Sequence, residues 1–262
     1  MPGLKKISFI RSLKQKKFRQ KHKLFIVEGE KMVNELVNSS FDIDSIYGTT
    51  EWIVKQGLKP GPLVINRKEF RLHEIKVSEL ERISSFTTPN MVLALARTPS
   101  FTIVRDELKD SLSLVLDKVQ DPGNLGTLIR SADWFGVNTI ILSHDSADIT
   151  SPKVVQATMG SIFRINYIYT DIKEFLGSTL TGGIPVLGAF TDAPSVYSID
   201  LPESGMIVLG NESKGISPEV TAFISRKMSI PSLNKGENPP ESLNIAVAGS
   251  IIISEFSRRK LK

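Results

Sequence analysis

The sequence predicts a two-part α/β protein: a small N-terminal α/β domain over residues 1–100, a linker over 101–111, and a second α/β domain over 112–262. Three observations lead there. Short apolar runs alternate with amphipathic stretches along the whole chain, the pattern of strands interleaved with helices. A polar stretch, Arg105–Ser111, interrupts that alternation after Pro99 and Ser100. At 262 residues the chain also exceeds the usual size of one domain.

In the first half, Leu24–Val27 reads as a strand and Glu30–Val37 as a helix with Met32, Val33, Leu36 and Val37 apolar. Ile43–Tyr47 and Leu63–Ile65 are strand candidates separated by a short helix near Glu51–Gln56. Glu74–Val77 and Met91–Ala96 then bracket a turn of helix at Ser78–Ile83.

The second series starts with Leu112–Leu116, a continuous apolar run typical of a strand buried on both faces. Asp121-Pro122-Gly123 turns the chain, Asn124 is a suitable N-cap for a helix through Phe135, and Gly136 suits C′. Thr139–Leu142 is the next strand, and Ser151-Pro152 opens a helix to Met159 with proline at its first position. Ile184–Leu187, Met206–Leu209 and Lys227–Ile230 continue the strands, with helices near Asp171–Leu176 and Pro218–Ile224. The last helix begins at Ser242 and reaches Arg259. Its first four turns are apolar nearly all round, which is the pattern of a helix buried on both sides. A terminal helix achieves that between its own sheet and another subunit, so a homodimer is expected.

Composition narrows the function. No apolar run reaches the roughly 18 residues needed to span a bilayer. No apolar core and small-residue cleavage site follow the basic N-terminus, so no secretory signal is expected. The chain has no cysteine, which removes disulfide and thiolate chemistry and fits a cytoplasmic location. His22, His73 and His144 form no ligand-spaced cluster, so no metal is expected. The net charge of +5 is concentrated: residues 1–23 hold nine Lys/Arg and no acid, leaving 24 basic and 28 acidic residues elsewhere. Such a segment suits phosphate neutralisation, with Lys14, Lys16, Lys17, Arg19, Lys21 and Lys23 as candidate RNA contacts. The plainer alternative is a solvated tail.

Three segments stand where α/β proteins hold ligands, after apolar strands. The first is Asp121-Pro-Gly-Asn-Leu-Gly-Thr-Leu-Ile-Arg130, where Gly126 lies one turn before Arg130 and leaves room beside a guanidinium able to grip phosphate. The second is Ile207-Val-Leu-Gly-Asn-Glu-Ser-Lys-Gly-Ile-Ser217, where Gly210 at a strand end lets a ligand lie against the backbone. The third is Ser229-Ile-Pro231 followed, after a Gly/Asn/Pro-rich loop, by Ser242-Leu-Asn-Ile-Ala-Val-Ala248. Taken singly, each is also what a capped helix or polar loop looks like. Neither G-x-G-x-x-G nor a Walker A pattern follows any strand, so a nucleotide-like cofactor would not bind in the usual Rossmann manner.

In order, Asn124 to Arg130, Leu-Gly-Asn-Glu at 209–212, and Ile-Pro followed by Ser-Leu-Asn at 242–244 resemble the three motifs of the SpoU/TrmH family of SPOUT methyltransferases. The resemblance covers residues 112–258, and Lys17–Gly29 is similar to the start of that family's small RNA-binding domain. It implies a deep trefoil knot in the C-terminal domain, S-adenosyl-L-methionine as cofactor, and dimers with sites near the interface. The cofactor would contact Leu209, Gly210, Ile230 and Leu243. Arg130 would stand at the reacting centre, with Asn124, Glu212, Ser242 and Asn244 as orienting groups. The implied reaction is methyl transfer to a ribose 2′-hydroxyl of RNA, ribosomal RNA being preferred because a separate N-terminal domain is present. One departure is the loop Leu233–Glu241, nine residues where about five are typical, and serine at 232 where the family usually has methionine. Two alternatives are a non-catalytic RNA-binding or ribosome-assembly factor on the same scaffold, and a metabolic α/β enzyme with an incidental basic tail.

Overall fold

The basic N-terminal stretch is folded. In the computed structural model, which describes residues 3–88, 90–179, 183–234, 236 and 240–259, it forms α1 (Leu4–Ser12) and α2 (Lys16–His22). The chain continues through β1 (Leu24–Glu28), α3 (Glu30–Val37), β2 (Ile43–Gly48), α4 (Thr50–Lys55), β3 (Gly61–Ile65), β4 (Lys68–Glu74), α5 (Val77–Ile83) and β5 (Val92–Arg97). Next come α6 (Arg105–Lys109), β6 (Leu112–Leu116), α7 (Pro122–Trp134), β7 (Thr139–Ser143), α8 (Pro152–Ala157) and β8 (Asn166–Thr170). The chain ends with α9 (Ile172–Thr179), β9 (Val186–Ala189), β10 (Gly205–Leu209), α10 (Pro218–Thr221), β11 (Arg226–Met228) and α11 (Ile245–Arg259).

These elements form two α/β units. One comprises the chain up to Ser100 together with Asp148–Arg164; the other comprises Phe101–Ala147 and the chain from Ile165 onward. The first unit is built on a five-stranded sheet in the order β1-β5-β2-β4-β3, in which only β2 and β4 run parallel. Ile7, Ile10 and Leu13 recur at helical spacing and are buried with Tyr47, Leu80, Ile83 and Leu93, so a segment that reads as a possible solvated tail is part of a core. β4 begins at Lys68, six residues before the strand expected at Glu74–Val77. Its buried Phe70 and Leu72 alternate with Glu69 and Arg71, whose charge hides the pattern. Asn66 and Arg67 both take positive φ at the β3–β4 turn, as a two-residue hairpin of the primed type requires.

The second unit holds a six-stranded parallel sheet in the order β11-β9-β10-β6-β7-β8. β6 is buried at all five positions, as its unbroken apolar run requires. The chain leaves β6 towards β7 on one side and leaves β10 towards the opposite edge. The C-terminal ends of these two adjacent strands therefore form the topological switch point, where such sheets hold ligands.

Helix ends show where local chemistry differs from expectation. Asp121, rather than Asn124, caps α7: its Oδ1 accepts the Asn124 N–H at 2.8 Å, and Pro122 takes the first helical position. Gly136 stands at C′ with φ +74°, and Val137 N donates back to Ala132 O at 2.8 Å, a Schellman close. The C-terminal helix starts at Ile245, three residues later than expected, because Asn244 and not Ser242 caps it. Asn244 Oδ1 accepts from Ala246 N at 2.9 Å and Val247 N at 3.3 Å.

Candidate active site

At the switch point two loops are bonded into one assembly. Asp117, buried directly after β6, donates its N–H to Leu209 O at 2.9 Å, and its Oδ2 accepts the Ser217 N–H at 2.8 Å. Lys118 O accepts from Asn211 Nδ2 at 2.8 Å. The loop after β10 is tight. Asn211 and Gly215 exchange both backbone hydrogen bonds at 2.9 Å, and Asn211 Oδ1 accepts from Ser213 N and Lys214 N at 3.1 Å each.

Glu212 closes this assembly onto α7. Its carboxylate accepts from Gln120 N at 3.4 Å, Asp121 N at 3.2 Å and Asn124 Nδ2 at 3.2 Å. Asn124 Oδ1 in turn accepts from Asn244 Nδ2 at 2.9 Å, and Asn244 caps α11. A directional chain thus runs from the start of α11 through two amides to a carboxylate. It fixes the amide orientations, because each group must donate one way and accept the other. The N-termini of α7 and α11 both point into this region, bringing the positive ends of their dipoles together.

A model of the SpoU rRNA Methylase family matches residues 111–254. The chain belongs to that family. Residues 5–94 match the MRM3-like substrate binding domain. The chain is similar to a TrmH-family protein of Porphyromonas gingivalis, 37% identical in sequence, with TM-score 0.86 and 99% of each chain covered. It is similar to the AdoMet-bound rRNA methyltransferase of Sinorhizobium meliloti, 27% identical, TM-score 0.83, covering 100% of this chain and 98% of that one. Among curated relatives, the 23S rRNA (guanosine(2553)-2′-O)-methyltransferase RlmP of Bacillus subtilis is 26% identical over 249 residues, 95% of this chain and 94% of the relative.

Of the SpoU motif residues, Asn124, Glu212 and Asn244 come together in one hydrogen-bonded chain. Arg130 does not join it. Six residues further along α7, about 9 Å of helix rise, it is exposed and forms no hydrogen bond or ion pair among the described residues. Gly126, one turn before it, is buried. Trp134, one turn further along the same side, is 83% exposed. Ser242 is exposed; Leu243 is 49% exposed and Ile230 half-buried. Leu209 is buried at the end of β10. Gly210 answers a close approach of the chain to itself: a Cβ there would stand 2.1 Å from the Gly215 carbonyl carbon and the Ile216 nitrogen. In the loop 233–241, residues 235 and 237–239 lie outside the described residues.

The basic segment divides into two kinds of residue. Lys16, Lys17, Lys21 and Lys23 are exposed. Arg19 is 4% exposed and fully engaged, which removes it from the phosphate contacts expected of it. It donates to Leu13 O, Lys14 O, Thr150 Oγ1 and Asp148 Oδ2, the last in an ion pair of 2.5 Å. Lys14 is half-buried, donates to Ser84 O at 2.5 Å, and is held below the usual lysine range by burial. Asp117, which helps position the site, was not singled out by sequence; Asp121 and Asn211 lie within the segments quoted there but were given no role in the site. For Asp121 the signal was present, as an acid before Pro at a helix start.

Proposed function

We propose that the protein transfers a methyl group from S-adenosyl-L-methionine to a ribose 2′-hydroxyl of RNA, with ribosomal RNA as the substrate class. The observation that carries this is the Asn244–Asn124–Glu212 chain at the switch point, formed by all three SpoU motifs. The names of the relatives, which include rRNA 2′-O-methyltransferases, support the chemistry and the substrate class.

The residues present fit the cofactor. Leu243 and Ile230 leave apolar surface uncovered, and the buried Ser217 Oγ at the foot of the 211–215 loop has no hydrogen-bond partner among the described residues. Leu209, Gly210, Ile230 and Leu243 would hold it, Gly210 by letting residues 215–216 close against β10. When bound, it supplies an electrophilic methyl carbon on a sulfonium whose sulfur takes the bonding pair. Asn124, Glu212, Ser242 and Asn244 orient the approaching ribose, and proximity supplies much of the rate. Arg130 clamps the RNA phosphate and stabilises the developing alkoxide, while the hydroxyl proton passes to a phosphate oxygen or water. A guanidinium does not serve as base, since its pKa exceeds about 12.

The active assembly is a cytoplasmic homodimer. α11 buries Ala246, Gly249, Ile252, Ile253 and Phe256 but leaves Val247 48% exposed. Trp134 is likewise uncovered, and Arg130 shares its side of α7. A second copy would cover these apolar groups and place its own residues near Arg130. Lys16, Lys17, Lys21 and Lys23 contact RNA phosphates. Among the described residues, no cluster of metal-ligating side chains occurs and no helix is long and apolar enough to cross a membrane.

Calorimetry with S-adenosyl-L-methionine in the presence of chelator tests the reading first. Saturable binding is expected, and no binding at millimolar cofactor would end it.

A further inference from the structure

The first unit presents a surface that none of the residues above uses. One face of its sheet is covered by α1 and α5, where Tyr47, Leu93 and Leu95 join Ile7, Ile10, Leu80 and Ile83 in a core. The same face continues across β4 and β3. Register sets Tyr47 beside His73, Ser45 and Pro62 beside Arg71, and Val64 beside Glu69, and directly paired residues share a face. Pro62, Val64, Glu69 and Arg71 are exposed and His73 is half-buried, so the sheet face is open there.

At the boundary between covered and open sheet, the Tyr47 and His73 rings stack, with centroids 5.0 Å apart and planes inclined by 12°. Tyr47 is fully buried and accepts a hydrogen bond at 3.1 Å from the Ser45 hydroxyl, so it is a fixed backing for the outer ring. Lys6 Nζ lies 6.0 Å from the Tyr47 ring centre and 5.4 Å from that of Phe9. Phe9 meets His22 edge-on at 4.9 Å. Burial, then the positive charges of Lys6 and Arg71, hold the His73 imidazole below its ordinary value, with Asp44 opposing. The ring is therefore neutral at pH 7 while the charges closest in effect are cationic. All these residues fall within the segment matching a substrate binding domain.

We propose that this open face of β3 and β4 is a stacking platform for an unpaired RNA base, with His73 as the stacking ring and Lys6 and Arg71 holding the flanking phosphates. A flat neutral ring with a rigid backing offers a π-face to any base, and adjacent cations track the backbone. Val64 and Pro62 supply apolar contact beside it. Bases inside an A-form duplex cannot reach such a ring, so the platform selects single-stranded segments. This rests on the RNA substrate argued above and adds which structural class of RNA the N-terminal unit grips.

The test uses the full chain and one fluorescein-labelled RNA strand of mixed sequence, alone and annealed to its complement. His73→Ala is expected to weaken single-strand binding by about 5- to 100-fold, the loss typical of one base–aromatic stack. His73→Phe should restore it, and the duplex should be affected little by either change. Arg71→Ala should reduce the log–log salt slope on the single strand by about 0.7. Cofactor affinity, measured in parallel, should not change. Wild-type single-strand affinity in both His73→Ala and Arg71→Ala overturns the platform while leaving the methyltransferase reading intact. An equal loss on duplex and single strand in His73→Ala also overturns it, and points to a general folding effect or a protein-docking face. If the unaltered protein binds neither RNA, the RNA reading itself fails.

Discussion

The sharpest distinctions fall on single residues. Arg130→Ala should lower turnover by about 100-fold or more, the scale of losing one preorganised charge stabiliser, while cofactor affinity and fold persist. Arg130→Lys separates the roles, since lysine keeps a charge but loses the planar grip. Impairment at every pH supports the clamp; recovery as pH rises towards lysine's ordinary value of about 10 would instead mark a titrating base. Gly210→Ala should destabilise the second unit by about 1–3 kcal/mol or more and weaken cofactor binding, because its Cβ meets backbone rather than a yielding side chain. Denaturant titration and calorimetry would read both effects, and unchanged stability would contradict the close approach. Asn124, Glu212 and Asn244 were legible only through the order of their three segments, each unremarkable alone, which resembles the SpoU/TrmH motifs. Arg19 was not. It stands among lysines of the same charge, and its partner Asp148 lies 129 residues away.

Among the elements, α11 carries a pH-dependent contribution. The hydrogen bond from Arg258 holds the buried Glu255 carboxyl at about 2; burial opposes it and Arg259 adds to it. A depressed acid stabilises the folded state above its unfolded value and loses that contribution as pH falls through the folded one. Glu255→Gln should therefore cost about 0.5–1 kcal/mol at pH 7, the scale of partly exposed ion pairs. The difference from wild type should close as pH falls from 4.5 to about 2 in chemical denaturation. A constant difference over that range would mean the carboxylate is not the stabilising species. Strands with continuous apolar runs, β6, β7 and β10, were readable almost to the residue. β4 and β8 were not, since each buries few side chains and mixes charged or polar ones between them. α1 and α2 were obscured for a similar reason: lysine density outweighs the apolar spacing of Ile7, Ile10 and Leu13.

For the whole molecule, the chain is not partitioned at a single point. Asp148–Arg164 belongs by its contacts with the N-terminal unit, tied in by Arg19–Asp148 and by Arg164–Glu35 at 2.5 Å. No local pattern announces such a return, because it depends on partners more than a hundred residues apart. It also changes how the basic segment can be tested. Removing residues 1–23 would strip Ile7, Ile10 and Leu13 from a core, so the informative variant replaces Lys16, Lys17, Lys21 and Lys23 with glutamine. Every lysine–phosphate pairing that this variant abolishes should lower the log–log salt slope of RNA binding by about 0.7–0.9. An unaltered slope would make these lysines a solubilising surface only. The central claim is tested most directly by incubating the protein with isotope-labelled S-adenosyl-L-methionine and ribosomal RNA, then hydrolysing the RNA in alkali. A ribose 2′-O-methyl group blocks cleavage at its own phosphodiester, so the account predicts label in an alkali-resistant dinucleotide. Label released entirely as mononucleotides would place the methyl on a base, and no label in RNA that the protein demonstrably binds would contradict methyl transfer itself.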